Sequence, residues 1–273
     1  MPAVGAYPPH RHVLRDLGLE SHGGDGITAR AWIEVTDHTR GPSGLTHPGA
    51  LATLVDAVGG GLAATAARPD WIATADLTLH LIPRPEVHRV GAEARVLRKG
   101  RTTVVIEVDL TTETGDELGL ATMTFAILAR REGNPVITGA GITHTTMAIP
   151  GSGFREPLEH ATGLTNMDRA AGCVILPLTD YVRNTLGAVQ GGMMAMTAAA
   201  AAERALTSAI GHSINVVDLQ VTYLALAKVG PVATRATVLA SSPTTGTVDV
   251  ELMDTGADDR VTTIVRARGV RFP

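Results

Sequence analysis

The run His47-Pro-Gly-Ala-Leu-Ala-Thr-Leu-Val-Asp56-Ala-Val-Gly-Gly-Gly-Leu62 is answered 143 residues later by Gln190-Gly-Gly-Met-Met-Ala-Met-Thr-Ala-Ala199. Each begins with a polar residue closely followed by glycine, has another glycine three residues upstream (Gly44, Gly187), and continues as a long helix of small apolar residues. A strand with a shared skeleton follows each helix, Asp76-Leu-Thr-Leu-His-Leu-Ile82 and Asp218-Leu-Gln-Val-Thr-Tyr-Leu224, at an offset of 142. The offset holds to within one residue, so the chain reads as one unit written twice. Differences between the copies are then the place to look for chemistry.

Outward from the first run, Pro48 suits an opening helical turn, where a missing N–H costs nothing. Leu51, Leu54, Val55, Val58 and Leu62 form an apolar stripe at helical spacing. Three glycines inside a helix cost about 1 kcal/mol each relative to Ala. Because Leu62 to Ala67 still reads as helix, Gly59 to Gly61 imply close approach of another backbone. Upstream lie a loose arm to His12, a short helix from Val13 to Gly18, a strand from Ile27 to Val35 and a loop from Asp37 to Gly44. Downstream, the runs Ile72–Ile82, Val90–Leu97, Thr102–Thr111 and Leu120–Ala129 are spaced as an antiparallel meander. The Pro/Gly-rich stretch from Arg130 to Leu158 reads as a linker, dividing the chain into units 1–138 and 139–273.

The second unit repeats the order: strand Cys173–Val182, helix Gln190–Ala209, and strands Ile214–Leu226, Pro231–Leu239, Thr247–Met253 and Val261–Val270. One helix with about five strands is an α+β unit. A lone helix half-wrapped by a sheet leaves apolar surface that the sister copy can cover.

A composition of 44% hydrophobic and 18% charged residues forms a core rather than a disordered chain. Net charge is −4 and the only lysines are Lys99 and Lys228, which excludes a phosphate-neutralising stripe and with it a nucleic-acid partner. Cys173 is alone, so a disulfide framework and a Cys-based zinc cluster are excluded and a reduced, cytoplasmic setting is expected. Met1 to Arg15 lacks the apolar core of a signal peptide, and the apolar stretch Met193–Ala202 is bounded by Gln190 and by Glu203-Arg204. It reads as a buried helix with no membrane role.

The motif Asn184-Thr-Leu-Gly187-Ala-Val-Gln190-Gly191-Gly192, the helical Asp56 and the Asp-Leu strand behind each helix together resemble the hotdog-fold thioesterases. The likeness is to their phenylacetate-type acyl-CoA thioesterase branch, with its pattern Asn-x-x-Gly-x-x-His-Gly-Gly and a carboxylate nine residues beyond the His. His47 to Asp56 is that step, and so is Gln190 to Ala199. The resemblance spans nearly the whole chain and implies a double hotdog, two units fused as a pseudo-dimer and assembled further into a homo-oligomer. It implies an acyl-CoA or acyl carrier protein thioester as substrate, with no cofactor and no metal. In that family the cleft lies between paired units, which sets Asn184, Gln190, Gly191 and Gly192 of the second copy opposite Asp56 of the first.

The copies depart from the pattern in complementary ways. The first keeps the carboxylate but has Pro48 for the first Gly and Gly41 for Asn; the second keeps Asn and Gly-Gly but has Gln190 for His and Ala199 for the carboxylate. One complete composite site and one dismantled site are expected, with His47 a leftover or structural histidine. The run Ala198–Ala202 is expected to leave room where the second site stood.

Thioester hydrolysis places negative charge on the carbonyl oxygen, and unpaired N–H groups at a helix N-terminus favour it. Gly191 or Gly192 would admit the acyl carbon, Asp56 would serve as general base or nucleophile, and Asn184 and Gln190 would hold water or carbonyl. The bland readings are Asp56 on a solvated helix side, Gly191-Gly192 as a plain turn, and Asn184 and Gln190 as loop and cap residues. Likewise His80 reads as a partly buried strand residue, and Met193, Met194 and Met196 as core. Loss of His at 190 also leaves room for a silent acyl-CoA or lipid-binding module, whereas a hotdog hydratase lacks its expected Asp and His pair. No Gly-x-Ser-x-Gly elbow, Walker loop or two-histidine zinc helix occurs, and Gly139-Ala-Gly141 falls short of a dinucleotide fingerprint.

Overall fold

The computed structural model describes residues 7–23, 26–129 and 144–272. Its first half runs α1 (Val13–Asp16), β1 (Glu20–Gly23), β2 (Thr28–Glu34), α2 (Pro48–Ala67), β3 (Trp71–Leu81), β4 (Arg89–Lys99), β5 (Thr103–Thr112) and β6 (Glu117–Leu128). The second runs β7 (Thr145–Thr146), α3 (Leu158–Ala161), β8 (Thr165–Asp168), β9 (Cys173–Leu176), α4 (Gly191–Ile210), β10 (Ile214–Tyr223), β11 (Val232–Ser241), β12 (Thr245–Asp254) and β13 (Arg260–Arg271). The boundary expected at 138/139 and the Gly139-Ala-Gly141 motif lie outside the described residues. The strand expected to reach Val182 stops at Leu176, because Pro177 has no N–H to donate to a ladder.

All thirteen strands form one antiparallel sheet, in the order β7-β1-β2-β4-β5-β6-β3-β10-β13-β12-β11-β9-β8. This corrects the simple meander. β4, β5 and β6 are consecutive neighbours, but β3 lies beyond β6, so its far edge is free to meet β10. In that junction Thr78 faces Gln220, its own image at the offset of 142. A local twofold axis therefore passes through the strand pair that welds the halves together, giving the double hotdog.

The helices cross on the same axis. A Cβ at Gly49 would lie 2.9 Å from Met196 Cα, and one at Gly192 would lie 2.5 Å from Thr53 Cα, so each helix opens with a glycine pressed against its partner's backbone. α2 is apolar nearly all round because sheet covers one side and α4 the other. It runs unbroken through Gly59 to Gly61. The approach expected there is made by side chains rather than backbone, with Met123 Sδ 2.9 Å and Phe125 Cζ 3.6 Å from a Cβ built at Gly59.

Candidate active site

The turn before α4 is shaped by Asn184, whose Oδ1 accepts the N–H groups of Leu186 (2.9 Å) and Ala188 (3.1 Å), and by Gly187 at φ +74°. That oxygen is thereby occupied, so Asn184 builds the loop and does not hold water with it as expected. The first unit makes the same turn with less, Gly41 N–H donating to Leu45 O as Asn184 N–H donates to Ala188 O.

Gln190 is the N-cap of α4 but its side chain caps nothing. The amide left over is taken from the other half: Gly192 N–H donates to Asp56 Oδ2 at 3.2 Å. Asp56 Oδ1 accepts the Thr74 hydroxyl at 3.0 Å, so each carboxylate oxygen is fixed by one donor. Only 8% of Asp56 is exposed, which excludes the solvated-face reading. Burial raises its pKa, and the hydrogen bonds from Thr74 and Gly192 offset part of the rise.

The two glycines have separate reasons to be glycine. A Cβ at Gly191 would meet both Asp56 oxygens at 2.9 and 3.0 Å, whereas the space beside Gly192 is filled by Thr53. Gly192 therefore does not open the way for an acyl carbon, as expected, but serves the helix crossing. Among the described residues nothing accepts the Gly191 N–H. Its carbonyl accepts the Tyr223 hydroxyl at 2.9 Å, and burial, then the charges of Asp56 and Asp76, push that phenol up.

Asp56, Asn184, Gln190 and Gly191 all line one cavity of about 610 Å³, to which Tyr7 and Leu14 of the N-terminal segment also contribute. Gln190 is 5% exposed, and its Oε1 has no donor among the described residues. Met193 and Met196 are core, while Met194 also reaches the cavity wall. His80 is half-exposed and hydrogen-bonds Asp218 at 2.7 Å in a surface cluster with Arg268.

The mirror position is closed by residues of its own. His47 Nδ1 accepts the Gly49 N–H at 3.0 Å, the same amide that Asp56 satisfies in the other half, and Ala199 offers no carboxylate. Ala198 to Ala202 are fully buried and leave no room; the remnant cavity is about 30 Å³, enough for one or two waters. His47 Nε2 lies 3.2 Å from Glu159 Oε1, and Glu159 also binds Arg204. Burial opposes ionisation of Glu159, but hydrogen bonds from His47 and Arg204 hold its carboxyl down to about 2.

A depressed carboxyl stabilises the fold above the unfolded-state pKa, and that gain is lost as pH falls from the ordinary glutamate range, about 4.3, toward 2. Glu159→Gln should therefore lower stability at pH 7 by about 3 kcal/mol, since Arg204 loses its anion and His47 Nε2–H its carboxylate acceptor. The deficit should shrink as pH drops through 4. Thermal melts of both proteins from pH 3 to 8 check this; parallel curves would refute it.

Thr74 and Tyr223 were not singled out from sequence, although internal comparison exposes both. At an offset of 142, Thr74 stands against Val216 and Tyr223 against Leu81, so one copy has a hydroxyl where its image has a hydrocarbon.

Residues 7–127 match the family model for the acyl-CoA thioesterase C-terminal domain, and residues 181–272 that for the acyl-CoA thioesterase N-terminal domain. The chain belongs to the acyl-CoA thioesterase family. The match is crosswise, each half of this thioesterase answering to the opposite half of the family pattern. Among solved structures, the tesB protein of Mycobacterium avium subsp. paratuberculosis superposes with a TM-score of 0.64 at 14% identity, over 95% of this chain and 98% of that one. An acyl-ACP thioesterase from Bacteroides thetaiotaomicron does so at 0.56 and 12%, over 89% and 97%. Both share the double-hotdog fold. No curated protein sequence matches the chain.

Proposed function

We propose that this thioesterase hydrolyses acyl-CoA at one composite site per chain, with Asp56 as general base, Thr74 and Gly192 N–H holding it, and Gly191 N–H as the oxyanion donor. The observation that carries the reading is the reach of the Asp56 carboxylate across the two halves to within 3.2 Å of the Gly192 nitrogen. A base that must accept a proton near neutral pH benefits from a raised pKa, which burial supplies. A water beside Asp56 gives up its proton as its oxygen attacks the thioester carbonyl. Charge building on the carbonyl oxygen meets the Gly191 amide, in the first turn of α4, where the helix dipole favours it. The C–S bond then breaks, and a thiolate is a good enough leaving group near neutrality that no strong acid is needed.

Release of free CoA from a panel of acyl-CoAs tests the activity, and the pH profile tests the base. As pH falls through the raised Asp56 pKa the base becomes protonated, so kcat/KM should drop on the acid side at a pH above the usual aspartate value of about 3.9. Thr74→Val removes a hydrogen bond that favours the charged form and should move this limb to higher pH. A limb that stays put excludes Asp56 as the titrating base. A single turnover in ¹⁸O water should put label in the released acid and none in Asp56; label in Asp56 would make it the nucleophile instead. Binding without turnover across the panel would favour the silent binding module.

A further inference from the structure

The cavity is not spread evenly around the carboxylate. On α2 its wall is made by Asp56, Gly60 and Ala64, one turn apart on a single face, with Ala57 and Gly61 beside them. At the offset of 143 between the helices, the positions matching Gly60 and Gly61 on α4 are Glu203 and Arg204. There Glu203 Oε1 accepts the Val216 N–H at 2.9 Å and Arg204 spans to Glu159, and only the 30 Å³ remnant is left. The same fold therefore has a 610 Å³ cleft where the two positions are glycine and almost none where they carry long side chains. Trp71, Ile72, Phe125 and Leu128, which also line it, are apolar. Gln190, buried with an unsatisfied amide oxygen, lines the cleft together with Asp56 and Gly191, so polar contacts are available for a ligand's head.

We infer that Gly60 and Gly61 set the acyl specificity, opening a channel along α2 for an apolar acyl chain that extends about ten carbons. This rests on the composite-site reading for where the thioester sits. From Asp56 to Ala64 the helix rises about 12 Å, at 1.5 Å per residue. An extended chain advances on the order of 1.2 Å per bond, so about ten bonds reach the Ala64 level. Each buried methylene adds about fourfold in affinity.

The test reads binding, so it stands apart from turnover. Acyl-CoAs from C4 to C14 are titrated calorimetrically into the Asp56→Asn protein and into the same protein carrying Gly60→Leu or Ala64→Leu. In the parent, affinity should climb about fourfold per methylene to about C10 and then level. With Gly60→Leu the climb should end about five carbons earlier, and with Ala64→Leu only about one or two earlier. A thermal melt confirms that each variant is folded, and Gly60→Ala replaces a variant that is not: its Cβ would meet Phe125 at 3.7 Å, an ordinary contact, and the climb should end about one carbon early. Affinity independent of chain length, or one length profile shared by every folded variant, overturns the inference. Length-dependent binding in a chain whose wild type releases no CoA would overturn the hydrolytic reading and leave the channel standing.

Discussion

Asp56→Asn should lower kcat/KM by about 10³-fold while leaving the fold at least as stable as wild type at pH 8. The loss follows from removing the base, since a positioned side chain that takes a proton in the transition state contributes about 10² to 10⁴. The stability follows from burial. A carboxyl whose pKa is raised on folding binds its proton more readily in the native state, so its contribution is favourable below the unfolded pKa and is lost as pH rises through the folded one. At pH 8 the ionised group is therefore a cost that the amide does not bear. Steady-state CoA release and melts of both proteins at pH 5 and pH 8 measure the two effects. A variant with wild-type turnover would remove the mechanism; one that is inactive because it is unfolded would contradict the burial argument.

Gly192→Ala should be strongly destabilising for a single-methyl change. Its Cβ would lie 2.5 Å from Thr53 Cα and 2.8 Å from Thr53 Oγ1, so backbone must move. Overpacking of a tight core costs about 1–3 kcal/mol, and at a backbone contact the upper end applies. For a chain of this size that is a fall in Tm of about 5 °C. Because the same residue donates to Asp56, activity should fall with it. Gly191→Ala is the control. Its Cβ would press on the Asp56 carboxylate, with the oxygens at 2.9 and 3.0 Å and Cγ at 3.1 Å, and on no backbone at that range, so it should cut kcat/KM by about 10²-fold with little change in Tm. Equal melting temperatures for Gly192→Ala and wild type would show that the crossing is not the tight joint described.

Much of this was written in the repeat. Both long helices and the strand after each could be read from the repeat itself, whereas setting one half's carboxylate opposite the other half's helix start came from the resemblance to the hotdog thioesterases. What could not be read depends on three-dimensional closure. Nothing local in Trp71 to Leu81 says that it skips past three strands to sit beside β6, because an antiparallel edge accepts any strand of suitable pattern. Asn184 and Gly192 matched a motif, but their duties, a turn and a backbone contact, appear only when neighbours are in place. Glu159 stands one residue beyond the stretch that reads as linker, yet it binds His47 and Arg204 from 112 and 45 residues away in sequence.

The weld between β3 and β10 has a consequence for how this molecule can vary. Where two identical subunits make such a sheet, every codon is expressed on both sides of the axis, so a side chain suited to one cleft is imposed on the other. Here each position exists once. A histidine plugs one helix start while a glutamine leaves the other open, and glutamate with arginine fills one groove while paired glycines hollow out its twin.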